Sequence, residues 1–381
     1  MFTEILLLNP VYVTLFWAIV LNMHPGRGNE PKRFLGKFMI FAFVVYLSHF
    51  FFFLGLHKLY IWIDCFYNFA SLAVFPMYYI YVLLLVHDRK FSWRLHSRYL
   101  IAPVTIFVLI AIGYIRMDDE TQLNYVTLIQ HGFPYEGRGI RYMEVVTLLA
   151  KMVFISQVVI YMILAYRIII KHNRELANYY SDVETRNLSW AQVFNLSLFL
   201  VSVASSVVAI IGREKFEGNN LYLLLPSLTF TILLFTIGLL GNTRKAVHIE
   251  IQEPLLTGGT EDKIPERLKD ELLGLFEKKK YYLNKDLKIW EVTGDLATNR
   301  TYVSRIINKE FGQNFSSFVN GYRVAHAKTL LSSNKQYTIE EIADLSGFGS
   351  VNSLYRAFVS VEKISLREYR NALRNKRSGN S

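Results

Sequence analysis

Long apolar runs separated by short charged connections dominate the first part of the chain. Seven runs lack Asp, Glu, Lys and Arg and approach the roughly 20 helical residues that cross a ~30 Å hydrocarbon core. They cover residues 5–23, 38–56, 65–86, 99–115, 152–166, 187–212 and 218–243, and the fifth is extended across Lys151 by 145–150. The pattern predicts a bundle of about seven transmembrane helices over residues 1–243.

The pattern changes after residue 262, where apolar residues recur every three or four positions between charged ones. This period is typical of amphipathic helices packed on a core in water. It predicts a helix over 265–280, a short helix over 287–296, a turn, and a second helix from Asn299 to about residue 310. Asn299 fits an N-cap, because its side-chain oxygen accepts a hydrogen bond from an orphan backbone N–H.

The same arrangement recurs further along, with helices predicted over 337–347 and 351–359 and a turn between them. A spacer helix running to residue 331 separates the two pairs. The sequence therefore predicts an all-α protein with two helix-turn-helix units in tandem. The residues expected to face the cores are Val303, Ile306 and Ile307 in the first unit, and Ile339, Ile342, Ala343, Leu345, Leu354 and Phe358 in the second.

Between the two regions lies a stretch that contains Pro254 and the pair Gly258 and Gly259, which favour turns and loops. We expect a tether there. The predicted organisation is a transmembrane, presumed sensory domain at 1–243, a cytoplasmic linker at 244–262 and a DNA-binding domain at 263–381.

Charge supports two regions in different solvents. Residues 1–260 hold 21 Lys and Arg and 16 Asp and Glu, whereas the much shorter region 261–381 holds 21 and 15. The first region lacks the polar side chains that cover a soluble domain. The total formal charge is +11, which fits either nucleic acid or anionic lipid as a partner.

The connections between the apolar runs predict an orientation. The first, third and fifth connections hold twelve Lys and Arg, and the alternate ones hold six, most of them accompanied by acids. Cationic loops stay on the cytoplasmic side. We therefore expect a multi-pass protein of the bacterial cytoplasmic membrane with its N-terminus outside and its C-terminal domain in the cytoplasm.

Three ionisable residues lie within or beside the apolar runs: His49, Asp64 and Lys151. Such groups are costly at membrane depth unless they are paired or hydrated. With the expected orientation all three fall in the outer third of the bundle. Our hypothesis is that Asp64 and Lys151 pair, with His49 nearby, around a pocket that is open to the outside and receives a signal. A structural ion pair or snorkelling of Lys151 to the interface is the alternative.

No catalytic motif occurs in the membrane half. Cys65 is the single cysteine of the chain, which excludes a disulfide framework and a cysteine-based metal site. We predict neither enzymatic activity nor a cofactor or metal.

A characteristic combination of positions lies within residues 282–370: Phe311, Gly312, Arg323, Ala327, Leu330, Leu331, Ile342, Ala343, Gly347, Phe348, Arg356, Phe358, Tyr369 and Arg370. With these positions the region resembles the DNA-binding domain of the AraC/XylS family of bacterial transcription regulators. Three positions depart from the family pattern: Lys363 and Leu366 stand where Gly and Pro are usual, and Asn352 stands where Ser or Gln is common.

The resemblance implies which residues face DNA. Arginine can donate two hydrogen bonds to guanine, asparagine serves adenine, and a methyl group meets thymine. The residues expected at or beside the bases are Asn299, Arg300, Thr301, Ser304, Arg305, Ser350, Val351, Asn352, Ser353 and Arg356. The cations expected at phosphates are Lys309, Arg323, Lys328, Lys335, Arg374, Lys376 and Arg377.

We therefore expect a membrane-embedded one-component transcription regulator that binds double-stranded promoter DNA. Its other partners are the lipid bilayer, an unidentified small-molecule or protein signal and, as an open option, a second copy of the chain. Three alternatives stay open: a transporter-like membrane module that reports through a DNA-binding domain, a regulator released by proteolysis, and a helical bundle that serves as a scaffold while its outer face binds a protein partner.

Overall fold

The computed structural model describes residues 2–23, 30–87, 91–129, 133–184, 186–211, 220–243, 266–333, 335 and 337–378. The chain is 83% helical, and no strand occurs among these residues. The all-α prediction is confirmed. The predicted linker at 244–262 lies outside the described residues.

Sixteen α-helices follow one another in the described part of the chain, and each of the seven apolar runs overlaps a different helix. In order they are α1 Phe2–Met23, α2 Glu30–Phe53, α3 His57–Val86, α4 Trp93–His96, α5 Ile101–Ile115, α6 Asp119–Thr127, α7 Ile140–Tyr179, α8 Ser189–Ile211, α9 Asn220–Thr243, α10 Glu266–Glu277, α11 Ile289–Asp295, α12 Arg300–Phe311, α13 Phe315–Ser332, α14 Ile339–Leu345, α15 Val351–Glu362 and α16 Leu366–Ser378.

The chain divides into two compact units. The N-terminal unit comprises Met1–Ile169 and Ser189–His248, and the C-terminal unit comprises Ile170–Leu188 and Ile249–Ser381. Helix α7 is continuous across this division, so its residues 170–179 belong to the C-terminal unit. We call Ile170–Leu188 the inserted segment, because it enters the C-terminal unit from the middle of the chain.

Long apolar helices make up the N-terminal unit. Helix α1 packs against α2 and α9, α2 packs against α3, and α3 packs against α5. Four helical stretches in the described residues are long and apolar enough to cross a membrane. They are Glu30–Phe53, His57–Val86, Trp93–Ile115 and Ile140–Tyr179, and the shorter apolar helices are Leu7–Met23 and Ser227–Thr243.

Two apolar cores hold the C-terminal unit together, and α13 contributes to both. The first core joins α10, α11 and α12 to Phe315, Phe318 and Val319 in the first half of α13. The second core joins α14, α15 and α16 to Val324 and Ala327 in its second half. Helix α13 is thus the spacer that the sequence predicted.

Leu345 is a correction to the predicted second core. It is 44% exposed, whereas Phe348 is 2% exposed and packs with Ile342 in that core. Helix α14 ends at Leu345 and the chain then turns inward, so Phe348 fills the space that the helical period assigned to Leu345.

Candidate nucleic-acid interface

The first helix-turn-helix unit consists of α11, a turn and α12. The Asn299 side chain accepts a hydrogen bond from the Tyr302 backbone N–H at 3.1 Å, so the predicted N-cap is confirmed. Such a cap stabilises a helix by ~1 kcal/mol. The apolar side of α12 is fully buried, as predicted, which turns its polar side away from the core. The buried residues are Val303, Ile306 and Ile307.

The second unit repeats this design in α14 and α15. Thr338 and Glu341 form a reciprocal capping box at the start of α14. Ser350 begins α15, and its Oγ accepts a hydrogen bond from the Ser353 N–H at 3.1 Å. Caps therefore fix the first turn of both candidate recognition helices. The residues of α15 buried in the second core are Leu354, Ala357 and Phe358.

Most residues expected to meet bases lie on the accessible side of these two helices. Thr301, Asn352 and Arg356 are exposed, and Ser304, Arg305 and Ser353 are half-buried. Helix α12 thus presents polar side chains along one face, and α15 does the same.

Three further predicted DNA-facing residues have partners within the C-terminal unit. The Arg300 guanidinium lies 4.4 Å from the centroid of the Tyr179 ring. Val351 packs, partly buried, against the second core. Ser350 holds the cap of α15.

Arg323 is the clearest correction. Its Nε donates to the Tyr282 carbonyl at 2.7 Å, and its Nη2 donates to the Asn284 carbonyl at 2.7 Å and to Ser181 Oγ at 3.0 Å. The side chain is 1% exposed, so the prediction of a phosphate contact was wrong. Burial lowers the pKa of Arg323 to about 10, although nearby carboxylates act in the opposite direction. It remains charged at neutral pH.

Lys328 is already paired within the unit. Its Nζ lies 2.9 Å from both carboxylate oxygens of Glu362, and this hydrogen bonding raises the pKa of Lys328. Lys335 Nζ lies 5.8 Å from the centroid of the Tyr337 ring. To contact DNA as predicted, Lys328 would have to give up its ion pair with Glu362 and bind a phosphate instead.

The closing turn of the second unit forms despite its departures from the family pattern. Lys363 adopts a left-handed conformation with φ 61° and ends α15. Ser365 N–H donates to Glu368 Oε2 at 2.7 Å, and Glu368 N–H donates to Ser365 Oγ at 3.2 Å. Leu366 begins α16 and is 1% exposed in the second core. An apolar contact and a reciprocal cap thus start α16 where the family has proline.

Residues 293–372 match a protein-family model described as a helix-turn-helix domain, and that model is of the AraC type. The match supports the AraC-like character of this region. Domains of this kind bind DNA, so the match supports a DNA-binding transcription regulator. Comparisons with the curated proteins and with the solved structures give no match.

The inserted segment packs against the helix-turn-helix domain, a contact that the sequence analysis missed. An isolated antiparallel bridge joins Tyr180 to Lys288. The Ser181 N–H donates a hydrogen bond to the Leu287 carbonyl at 3.0 Å, and the Ser181 carbonyl accepts one from Ser316 Oγ at 2.9 Å. The Tyr180 ring meets the Trp290 ring edge-on at 5.5 Å. Backbone and side-chain contacts together anchor the segment beside α11 and α13.

Beyond this anchor, acidic side chains of the segment reach the second recognition helix. Glu184 Oε2 accepts a hydrogen bond from Ser353 Oγ at 2.7 Å, and Glu184 Oε1 lies 3.3 Å from Arg356 Nη1. Asp182 lies against the turn before α15, because a Cβ on Gly349 would stand 2.9 Å from Asp182 Oδ2. Two predicted base-facing residues therefore contact a carboxylate of the same chain.

The three residues of the hypothetical signal pocket lie in the N-terminal unit. Asp64 is 2% exposed and accepts a hydrogen bond from the Tyr114 hydroxyl at 2.8 Å. His49 is half-buried, with its ring centroid 5.3 Å from that of Tyr67. Lys151 is exposed on α7. Asp64 is thus the member of the three that is enclosed by the bundle.

Proposed function

We propose that the chain is a membrane-embedded one-component transcription regulator. In this proposal seven helices cross the cytoplasmic membrane with the N-terminus outside, and the helix-turn-helix domain binds promoter DNA in the cytoplasm. A signal acts by binding two states of the helical bundle unequally, which is the only way a ligand shifts an equilibrium.

The observation that carries the DNA-binding half is the family match over residues 293–372, joined to the geometry of α12 and α15. Each helix is capped, buries an apolar side and presents polar residues on the other. In helix-turn-helix proteins such a helix enters the major groove and its first residues meet the base edges. Two of them on the shared spacer α13 support binding to successive half-sites.

Apolar side chains on the outside of the N-terminal helices support the membrane half. Trp62 and Ile115 are each 83% exposed, and α7 presents further exposed apolar residues along its length. Water disfavours such a surface by about 25 cal/mol per Å². Lipid chains solvate it without this cost, which favours the bilayer as the surrounding solvent.

Selection of DNA by the full-length protein in lipid nanodiscs tests the proposal. We expect one motif to be enriched from a random duplex library. Arg305→Ala should weaken binding to that motif roughly 10- to 100-fold, because a two-bonded arginine–guanine contact contributes ~1–3 kcal/mol. Arg267→Ala is the matched control, since that arginine is 87% exposed on α10 and pairs with Glu271. Equal binding by all three proteins would contradict the assignment of α12.

We further propose that Asp64 is the centre of the signal pocket and that His49 and Lys151 contribute to the same pocket. A buried carboxylate that accepts a hydrogen bond from a tyrosine hydroxyl supplies a polar anchor inside an apolar bundle. Asp64→Asn should change promoter occupancy in cells, measured by crosslinking to the selected motif. Cys65→Ser, one position along α3, should not. Unchanged occupancy in Asp64→Asn would remove the carboxylate from signal recognition.

A further inference from the structure

The second recognition helix presents its polar face to a part of the chain that is distant in sequence. Ser353 Oγ and Arg356 Nη1 both contact Glu184, 169 residues away from Ser353 along the chain. These contacts lie in one open cleft, which the inserted segment lines together with Arg323, Phe348 and Ser360. An acidic residue therefore occupies the surface from which α15 would meet DNA.

A carboxylate at this place opposes DNA binding in three ways. It takes the hydrogen bond that Ser353 Oγ would donate to a base or phosphate, and it partly neutralises the Arg356 charge. It also sets a negative charge against the polyanionic backbone, whose attraction to cations supplies much of the binding free energy. Asp182, which lies against Gly349, adds a second negative charge at the start of α15.

The contact is built into the fold rather than made by one mobile side chain. Ser181, three residues before Glu184, is fixed by hydrogen bonds to Leu287, Ser316 and the buried Arg323. These bonds place the backbone of the segment, so Glu184 reaches α15 from a fixed origin. The Arg356 side chain itself is 74% exposed, so the ion pair alone is weak and can be broken.

The inserted segment also carries a direct connection to the apolar bundle. Residues 170–179 form the last turns of α7, and Tyr179 at its end contacts Arg300 of the first recognition helix. The covalent continuity of α7 therefore links the segment to the bundle by a path that does not include the linker at 244–262.

We propose that the inserted segment is an autoinhibitory latch, which holds Glu184 on Ser353 and Arg356 and must leave α15 before that helix can bind DNA. The inference rests on the proposed function, because it takes α15 as a DNA-binding element. A signal that shifts α7 would release the latch, and binding of DNA would in turn favour the released state.

The first test removes only the negative charge of the latch. Full-length Glu184→Gln protein in nanodiscs should bind the motif selected from the random library ~3- to 10-fold more tightly than wild type, as expected for loss of one charged hydrogen bond and a partly exposed ion pair. Glu175→Gln is the matched control, because Glu175 belongs to the same inserted segment as Glu184 but pairs with Lys171. Equal or weaker binding by Glu184→Gln would overturn the latch.

The second test locks the latch. A Cβ on Gly349 would lie 3.7 Å from Asp182 Cγ, so Asp182→Cys and Gly349→Cys together come within reach of a disulfide. In a Cys65→Ser background, the oxidised double variant should lose binding to the motif and regain it on reduction. Binding by each single variant should be the same under oxidising and reducing conditions. Undiminished binding by the oxidised form would refute the proposal.

The outcomes separate the latch from the proposed function. If wild type, Glu184→Gln and the reduced double variant all fail to enrich any motif from the library, the protein does not bind DNA specifically and both ideas fall. If all of them bind equally, with the oxidised form included, the protein binds DNA specifically and only the latch is lost.

Discussion

Lys363 adopts a backbone conformation that glycine tolerates better than any other residue. Its φ of 61° lies in the left-handed region, where a Cβ costs roughly 1–2 kcal/mol. Lys363→Gly should therefore raise the free energy of opening of α15 and α16 by about 1 kcal/mol, measured by hydrogen exchange on the full-length protein. Lys363→Ala also removes the lysine side chain but keeps the Cβ, so it should give no such gain. Equal stability of the two variants would show that the turn is unstrained.

Gly347 is required for a different reason. Its φ is 81°, and an added Cβ would lie 2.4 Å from the Tyr282 carbonyl oxygen and 2.8 Å from Leu283 Cα. These are backbone atoms, which cannot rotate away. Gly347→Ala should lower the stability of the C-terminal unit by about 3 kcal/mol, through strain and overpacking.

The control for Gly347 is a glycine inside a helix. Nothing lies within 4 Å of a Cβ on Gly321 of α13, so Gly321→Ala should stabilise the unit by up to ~1 kcal/mol. Hydrogen exchange at the amides of the C-terminal unit compares the two variants in the full-length protein. A mild effect of Gly347→Ala would mean that the close approach to Tyr282 relaxes easily.

At the scale of the helices, Arg323 ties α13 to two other parts of the C-terminal unit. Its guanidinium donates to the carbonyls of Tyr282 and Asn284 and to Ser181. Arg323→Met should destabilise the unit by about 3 kcal/mol, because buried acceptors then lose their donors. Hydrogen exchange should speed up in both the inserted segment and residues 281–285.

Arg267→Met is the comparison for Arg323. That arginine is 87% exposed, and loss of an exposed ion pair changes stability by less than ~1 kcal/mol. If Arg323→Met left exchange in the inserted segment at its wild-type rate, the segment would be held by its backbone contacts alone.

Much of the helical architecture follows from local sequence. The cap at Asn299 and the buried positions Val303, Ile306 and Ile307 depend on residues within one or two turns, and the structure agrees with those predictions. The predictions that were wrong concern side chains whose surroundings come from distant parts of the chain. The period of α14 could not reveal that Phe348 replaces Leu345, and the cationic type of Arg323 suggested a surface role that only its distant partners exclude.

The inserted segment was the largest omission, and its contacts explain why. Ser181 meets Ser316 at a separation of 135 residues, and no helical period reports such a pairing. The cations of this connection indicate only the orientation of the bundle. The structure reveals the segment through the length of α7, because its 40 residues exceed by far the ~20 that cross a membrane.

At the scale of the whole molecule, the proposed orientation makes opposite ends of α7 accessible from opposite sides. Glu136, before α7, and Glu175, near its end, are both exposed. In a Cys65→Ser background, Glu136→Cys should react with a membrane-impermeant maleimide in intact spheroplasts, and Glu175→Cys only after lysis. The reverse pattern would place the helix-turn-helix domain outside the cytoplasm and contradict the proposed function.

Because the C-terminal unit is built from two separate stretches of chain, cleavage between the apolar helices and the helix-turn-helix region would not release it intact. A protease acting between α9 and α10 would liberate a fragment without Ser181, leaving Arg323 and Ser316 short of a partner that the intact chain provides. The severed domain would be freed from Glu184 and weakened in its fold at the same moment. A hybrid regulator made by joining this domain to another membrane protein would inherit the same defect unless residues 170–188 travelled with it. The unit of exchange is therefore two pieces of chain, not one.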